Sequence, residues 1–327
     1  MYSSYERPDS TRPDLPIEDT LLGGEPKYRK ADVAAAAGVD VGRAERLWQA
    51  MGFAHVGDDD VVFTDADVAA LRLMVQLVAA QVIPPEIETA VARSLAQTMS
   101  RLAEWEVGIF KAVLGEAFAE DMPTTVEFAK AVLPVMEELQ SYVWRRHLAA
   151  TAIRELDGAG SGPVARTQVI GFADIVGYTR LIRDFTEAEL AGLIDEFEDL
   201  ATGVVAENHG RIVKTVGDEV LFVADTAAAG AEIGLALNEA IDKAAEVPPL
   251  RIGLAQGTVL ARFGDVYGST VNIASRLTSL ARPASVLVDR ELATALRGDP
   301  RYALQPIGPT RVQGFRGLHA WVLRRAR

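Results

Sequence analysis

Apolar positions along this chain keep two different periods, and the change falls near residue 160. From Lys27 to about Asp157 they recur at helical spacing, in alanine-rich stretches with almost no alternation. Thr64, with Asp67 three residues on, forms a capping box ahead of the apolar run Leu71 to Ile83. Pro84-Pro85 ends that helix and opens another through Val91, Leu95 and Leu102. Two further helical stretches are predicted over Glu104 to Phe118 and Thr125 to Leu156, the second kinked or broken at Pro134. Residues 1–26, rich in Pro, Ser, Asp and Glu, offer little to bury and are predicted to be disordered. The run Asp157-Gly-Ala-Gly-Ser-Gly-Pro163 punctuates the chain and sets a linker at 157–164 between a helical domain, 27–156, and a second domain, 165–327.

Past the linker, strands alternate with helices. Strands are predicted at Val164–Asp174, Leu250–Gln256, Ala284–Val288 and Ala320–Leu323, with a hairpin of Arg211–Val216 and Val220–Val223 around Gly-Asp-Glu. Helices are predicted at Glu187–Asn208, Thr226–Ala244 and Val271–Ala281. The pattern is that of an α+β sheet with its helices on one face.

Composition narrows the function classes. At 327 residues the chain suits two domains, and a hydrophobic share of 49% lets each bury a core. The net charge of −13 argues against a nucleic-acid partner and against electrostatic docking on anionic lipid. The absence of cysteine removes disulfides, thiolate zinc sites and cysteine nucleophiles, and fits a reducing cytoplasm. The first residues lack the basic and apolar regions of a signal peptide, and Leu71 to Ile83, interrupted by Arg72, Gln76 and Gln81, is too short and polar to cross a bilayer. The expectation is a soluble cytoplasmic protein without a transmembrane segment.

Several polar residues of the second domain sit where chemistry is possible. Asp174 ends an apolar strand just before Gly177 and a new helix; a carboxylate there can hold a hard cation or simply cap the helix. The turn through Gly177, Tyr178 and Thr179 can aim backbone N–H groups at a phosphate. Asp218 lies in a Gly-Asp-Glu turn that turn geometry alone explains, and Lys214 fits a solvated strand edge. Asn272 and Arg276, one helical turn apart, share a face opposite the apolar Ala274 and Leu277, which suits a site or a solvated face equally.

Three segments taken in order carry a resemblance: Phe172-Ala-Asp-Ile175, Lys214-Thr-Val-Gly-Asp218, and Asp265-Val-Tyr-Gly-Ser-Thr-Val-Asn-Ile-Ala-Ser-Arg-Leu277. With them, residues from about 165 to 327 resemble the ferredoxin-like catalytic domain of class III nucleotidyl cyclases. The resemblance implies that Asp174, Asp218 and the Ile175 carbonyl bind two Mg²⁺ or Mn²⁺ ions. It implies that Lys214 and Asp265 read the base, that Asn272 orients the ribose and that Arg276 stabilises the transition state. It further implies a head-to-tail homodimer, each site taking its two aspartates from one copy and the other four residues from its partner. Family members often hold the triphosphate with a lysine near the C-terminal strand; here Arg316 is the nearest basic residue.

Between nucleotides, Lys214 and Asp265 discriminate by hydrogen-bond polarity. Adenine offers an acceptor at N1 and a donor at N6, matching a donor-only ammonium and an acceptor-only carboxylate. Guanine offers the reverse, a mismatch costing about a few kcal/mol. The expected activity is an adenylate cyclase turning ATP into 3′,5′-cyclic AMP and pyrophosphate. A cyclase of another nucleotide and a non-catalytic dimeric sensor built on the same fold are the alternatives.

In the helical half, Val33–Asp40, Arg46–Phe53 and Val62–Val68 resemble the small winged helical start of MerR-type regulators. Asp58-Asp-Asp60, where a wing would sit, argues that the packing unit is kept without DNA binding. This half also resembles the N-terminal regulatory domains of autoinhibited actinobacterial adenylyl cyclases, which implies a lipid-like or proton effector. The segment Trp144 to Arg154 would then rearrange to set whether two catalytic domains assemble. A plain dimerisation scaffold is the simpler reading.

Overall fold

The computed structural model describes residues 16–53, 55–157, 166–244, 247–312 and 315–326. The chain falls into two compact units, divided between Asp157 and Gly158. The segment expected as a linker lies, from residue 158 on, outside the described residues.

The first unit contains helices α1 (Pro16–Leu22), α2 (Lys30–Ala37), α3 (Val41–Ala50), α4 (Asp65–Ala79), α5 (Glu88–Leu114), α6 (Ala117–Glu120) and α7 (Met122–Asp157). Val33, Ala34, Leu47, Val68 and Leu71 form its core, with Trp48 stacked on Phe63 at 4.6 Å. The capping box forms: the Thr64 N–H donates to Asp67 at 2.7 Å, and Thr64 Oγ1 accepts from the Ala66 N–H. An antiparallel bridge between Tyr28 and Phe63 ties the segment before α2 to the start of α4. The acidic stretch is tied down, Asp58 pairing with Lys30 and Asp59 with Arg29, so these cations are already neutralised.

Three expectations need correction here. Residues 1–15 lie outside the described residues, but Pro16–Leu22, expected to be disordered, forms a helix on α7. Its Ile17, Leu21 and Leu22 interrupt the polar composition on which that expectation rested. The stretch from Glu104 belongs to one helix of 27 residues with the segment before it. Helix α7 is continuous through Pro134 for 36 residues, which corrects the break expected there: losing one backbone hydrogen bond does not end so long a ladder.

The second unit is built on one sheet. Its strands are β1 (Arg166–Ile175), β2 (Gly210–Val216), β3 (Glu219–Ala224), β4 (Leu250–Arg262), β5 (Asp265–Tyr267), β6 (Ser285–Val288), β7 (Tyr302–Val312) and β8 (Phe315–Arg325). Helices α8 (Tyr178–Asp184), α9 (Glu187–Glu207), α10 (Ala227–Lys243), α11 (Ser269–Leu280) and α12 (Arg290–Ala295) connect them. Strand order is β2-β3-β1-β4-β6-β8-β7, with β5 folded back on β4 and every pair antiparallel except β4 with β6. The first four strands with their crossing helices make the ferredoxin-like βαββαβ unit.

Alternation along β1 and β3 divides the core. Ala173, Ile175 and Phe222 meet Phe197 of α9 and Ile233 and Leu237 of α10 on one face. Ile170, Phe172, Leu221 and Val223 meet Val266 of β5 and Ala274 of α11 on the other. Helices therefore cover both faces, which corrects the one-face expectation. The small residues Gly253 and Ala274 let α11 lie close on β4. Strand β7 escaped the sequence reading because Pro306 and Pro309 argue against a strand; it sits at the sheet edge, where proline is tolerated.

Candidate active site

The site grows from the end of β1. Cross-strand register puts Asp174 opposite Glu219 on β3 and opposite Arg251 on β4. Between β2 and β3, Gly217 adopts a φ of +62°, which permits the tight turn that carries Asp218. The Ile175 N–H donates to the Asp218 carbonyl at 3.0 Å, locking this turn to the strand end. Arg251 donates to Asp174.

Charge is concentrated here. Burial, together with the neighbouring Asp174 carboxylate, pushes the Asp218 carboxyl above its ordinary value. Burial and then the charges of Asp174 and Asp218 push Glu219 up to about 6. Three carboxylates thus face one guanidinium, an imbalance that a divalent cation would relieve. Among the described residues no cluster offers three or more side-chain ligands. The acids present fit Mg²⁺ or Mn²⁺, which takes one or two carboxylates and completes its shell with water and substrate phosphate.

Beside this end of the sheet, Gly177 takes a φ of +80° and starts α8. The N–H groups of Tyr178 and Thr179, in the first turn, have no intrahelical acceptor and so remain available to a phosphate.

A second group forms across 51 residues of sequence: Lys214 Nζ on β2 donates to Asp265 Oδ2 on β5 at 2.6 Å. Burial alone would raise the Asp265 carboxyl; the Lys214 ammonium and the Val266 N–H outweigh it and hold the group below its ordinary value. Asp265 is therefore an ionised acceptor beside a donor-only ammonium, and both remain partly open to solvent.

Asn272 and Arg276 project from the exposed side of α11 while Ala274, Leu277 and Thr278 bury against the sheet. Among the described residues neither side chain has a partner. Arg316 belongs to β8, but its side chain lies outside what is described. Sequence reading missed two members of the acidic end, Glu219 and Arg251. The only signal was alternation: Arg251 interrupts a buried strand, and Glu219 was absorbed into a turn.

Residues 165–325 match the profile of the adenylate and guanylate cyclase catalytic domain. An adenylate cyclase of Streptomyces coelicolor is 40% identical over 97% of this chain and 92% of its own length. An adenylate cyclase of Streptomyces griseus is 43% identical over 86% of this chain and 71% of its own. A pH-sensitive adenylate cyclase of Mycobacterium tuberculosis is 31% identical over 91% and 78%.

Proposed function

Since the chain belongs to the adenylate and guanylate cyclase family, with relatives matched along most of their length, we propose that it cyclises ATP at the site described above. Lys214 donates to adenine N1 and Asp265 accepts from N6, exchanging their mutual hydrogen bond for two to the base. Asn272 orients the ribose, and the first turn of α8 receives phosphate oxygens. Asp174 and Asp218, with the Ile175 carbonyl, would hold the two divalent ions. Those ions would ease ionisation of the 3′-hydroxyl and share the charge on the phosphoryl oxygens. The 3′-oxygen bonds to the α-phosphorus, the bond from that phosphorus to the bridging oxygen breaks, the hydroxyl proton is released and pyrophosphate leaves. Arg276, fixed on a helix, meets the charge that grows on the phosphorus centre.

The single observation that carries this reading is the Lys214–Asp265 pair at 2.6 Å, a donor-only group beside an acceptor-only group, the two kinds of partner that the adenine edge takes. Exposure of Asn272 and Arg276 without a partner among the described residues supports a head-to-tail homodimer with shared sites. The helical unit is proposed to regulate that pairing, through a lipid-like ligand or a proton. In support, α7 leaves Trp144, Leu148 and Ile153 more than half exposed. No described helix is long and apolar enough to cross a membrane.

The test offers purified protein ATP, GTP, CTP and UTP and follows cyclic product. Cyclic AMP should form from ATP, Lys214→Glu should abolish it, and mixing Asp174→Ala with Asn272→Ala chains should restore part of it. Preference for another nucleotide, or no product from any, would overturn the assignment; no restoration on mixing would overturn the shared site.

A further inference from the structure

Asp174 sits in the middle of a row. Glu219 is in register with it on one neighbouring strand and Arg251 on the other, so all three side chains leave the same face of the sheet. Arg251 gives a terminal nitrogen to Asp174, yet its Nε is buried with no acceptor. Glu219 is partly buried, and among the described residues no donor reaches its carboxylate. A buried donor without an acceptor and a partly solvated carboxylate without a donor among the described residues therefore flank the same aspartate. Buried polar groups are normally paired, so the Arg251 Nε asks for an explanation. It does not serve the Arg251–Asp174 contact.

We propose that Glu219 is a positioning residue that receives Arg251 when a divalent cation takes Asp174. This rests on the reading of Asp174 and Asp218 as metal ligands. The guanidinium and the cation compete for the same carboxylate, and a displaced guanidinium left partly buried without a counter-charge is costly. Adjacent strands lie about 4.8 Å apart, which puts the α-carbons of Glu219 and Arg251 roughly 10 Å from each other across β1. Two long side chains span that gap. The handover leaves Asp174 free for the ion and keeps Arg251 paired at the mouth of the site, at the cost of exchanging one ion pair for another.

Mn²⁺ binding to the full-length chain without nucleotide, followed by the loss of the free-ion electron paramagnetic resonance signal, tests this. Glu219→Gln should weaken Mn²⁺ binding about tenfold, an ordinary coupling for groups in contact. In an Arg251→Gln background the same substitution should change binding less than about twofold, because no guanidinium remains to be received. Glu219→Asp, which keeps the charge, should recover most of the affinity, and Glu219→Ala takes the place of Glu219→Gln in the cycle should that variant not fold. Equal losses in both backgrounds would mean that Glu219 acts on the ion directly, and no loss in either would mean that it is idle; both results overturn the proposal. Asp174→Ala serves as the separate check. If it leaves Mn²⁺ binding unchanged, the metal-ligand reading itself fails.

Discussion

Gly253 on β4 is the point where α11 lies closest to the sheet, and replacing it with alanine should damage chemistry as well as the fold. A Cβ there would stand 2.2 Å from the Thr278 nitrogen, 2.4 Å from the Ala274 oxygen and 2.6 Å from Thr278 Oγ1. Carbon contacts are comfortable only from about 3.5 Å, so the helix must retreat by roughly 1 Å or more. Two of the three obstacles are backbone atoms, and no rotamer change relieves them. Overpacking of this kind costs about 1–3 kcal/mol. The hydrogen bond from Thr278 Oγ1 to the Phe172 carbonyl, 3.3 Å long, would stretch further and cost about another 1 kcal/mol. Arg276 lies on α11 between the two contacted residues and must move with them. A shift of about 1 Å in a group that stabilises a transition state costs on the order of 100-fold in rate. The assay is the initial rate of cyclic AMP formation at saturating ATP, with thermal unfolding measured beside it. Gly203→Ala is the control, since an added Cβ on α9 meets nothing within 4 Å. Gly253→Ala with a rate within about twofold of the parent, at unchanged unfolding temperature, would refute the claim that this contact sets the place of Arg276.

Two further expectations follow from single residues. Burial, reinforced by the adjoining Glu291 carboxyl, pushes Asp289 up to about 7 from an ordinary 3.8. The folded state therefore holds this proton more tightly than the unfolded chain does. The resulting stabilisation is complete below about pH 4 and is lost as pH rises through about 7, with an upper bound of about 4 kcal/mol. Asp289→Asn keeps an acceptor for the Leu292 and Gln256 N–H groups and should remove this slope; hydrogen exchange in β4 and β6 between pH 5 and 8 checks it, and an unchanged slope would count against the shared burial. Thr64→Ala deletes one half of the capping box of α4 and should cost the helical unit about 1 kcal/mol in a urea titration, whereas Thr64→Ser should cost little.

Local chemistry was legible in the sequence wherever the signal fits within one turn or one strand. The capping box at Thr64, the break at Pro84, the β2–β3 turn and the spacing of Asn272 and Arg276 on one helix face all depend on residues close in the chain. So does the order of the three segments that carry the cyclase resemblance. What lay beyond reach was decided by register. Asp174 meets Arg251, 77 positions away, because β1 and β4 pair with those residues opposite, and Lys214 meets Asp265 because β5 folds back along β4. Which face α11 covers depends on a glycine in β4 that no helix pattern contains. A period read along one strand says which side chains share a face. Only the pairing of distant strands says which of those faces, and which residues on them, come together.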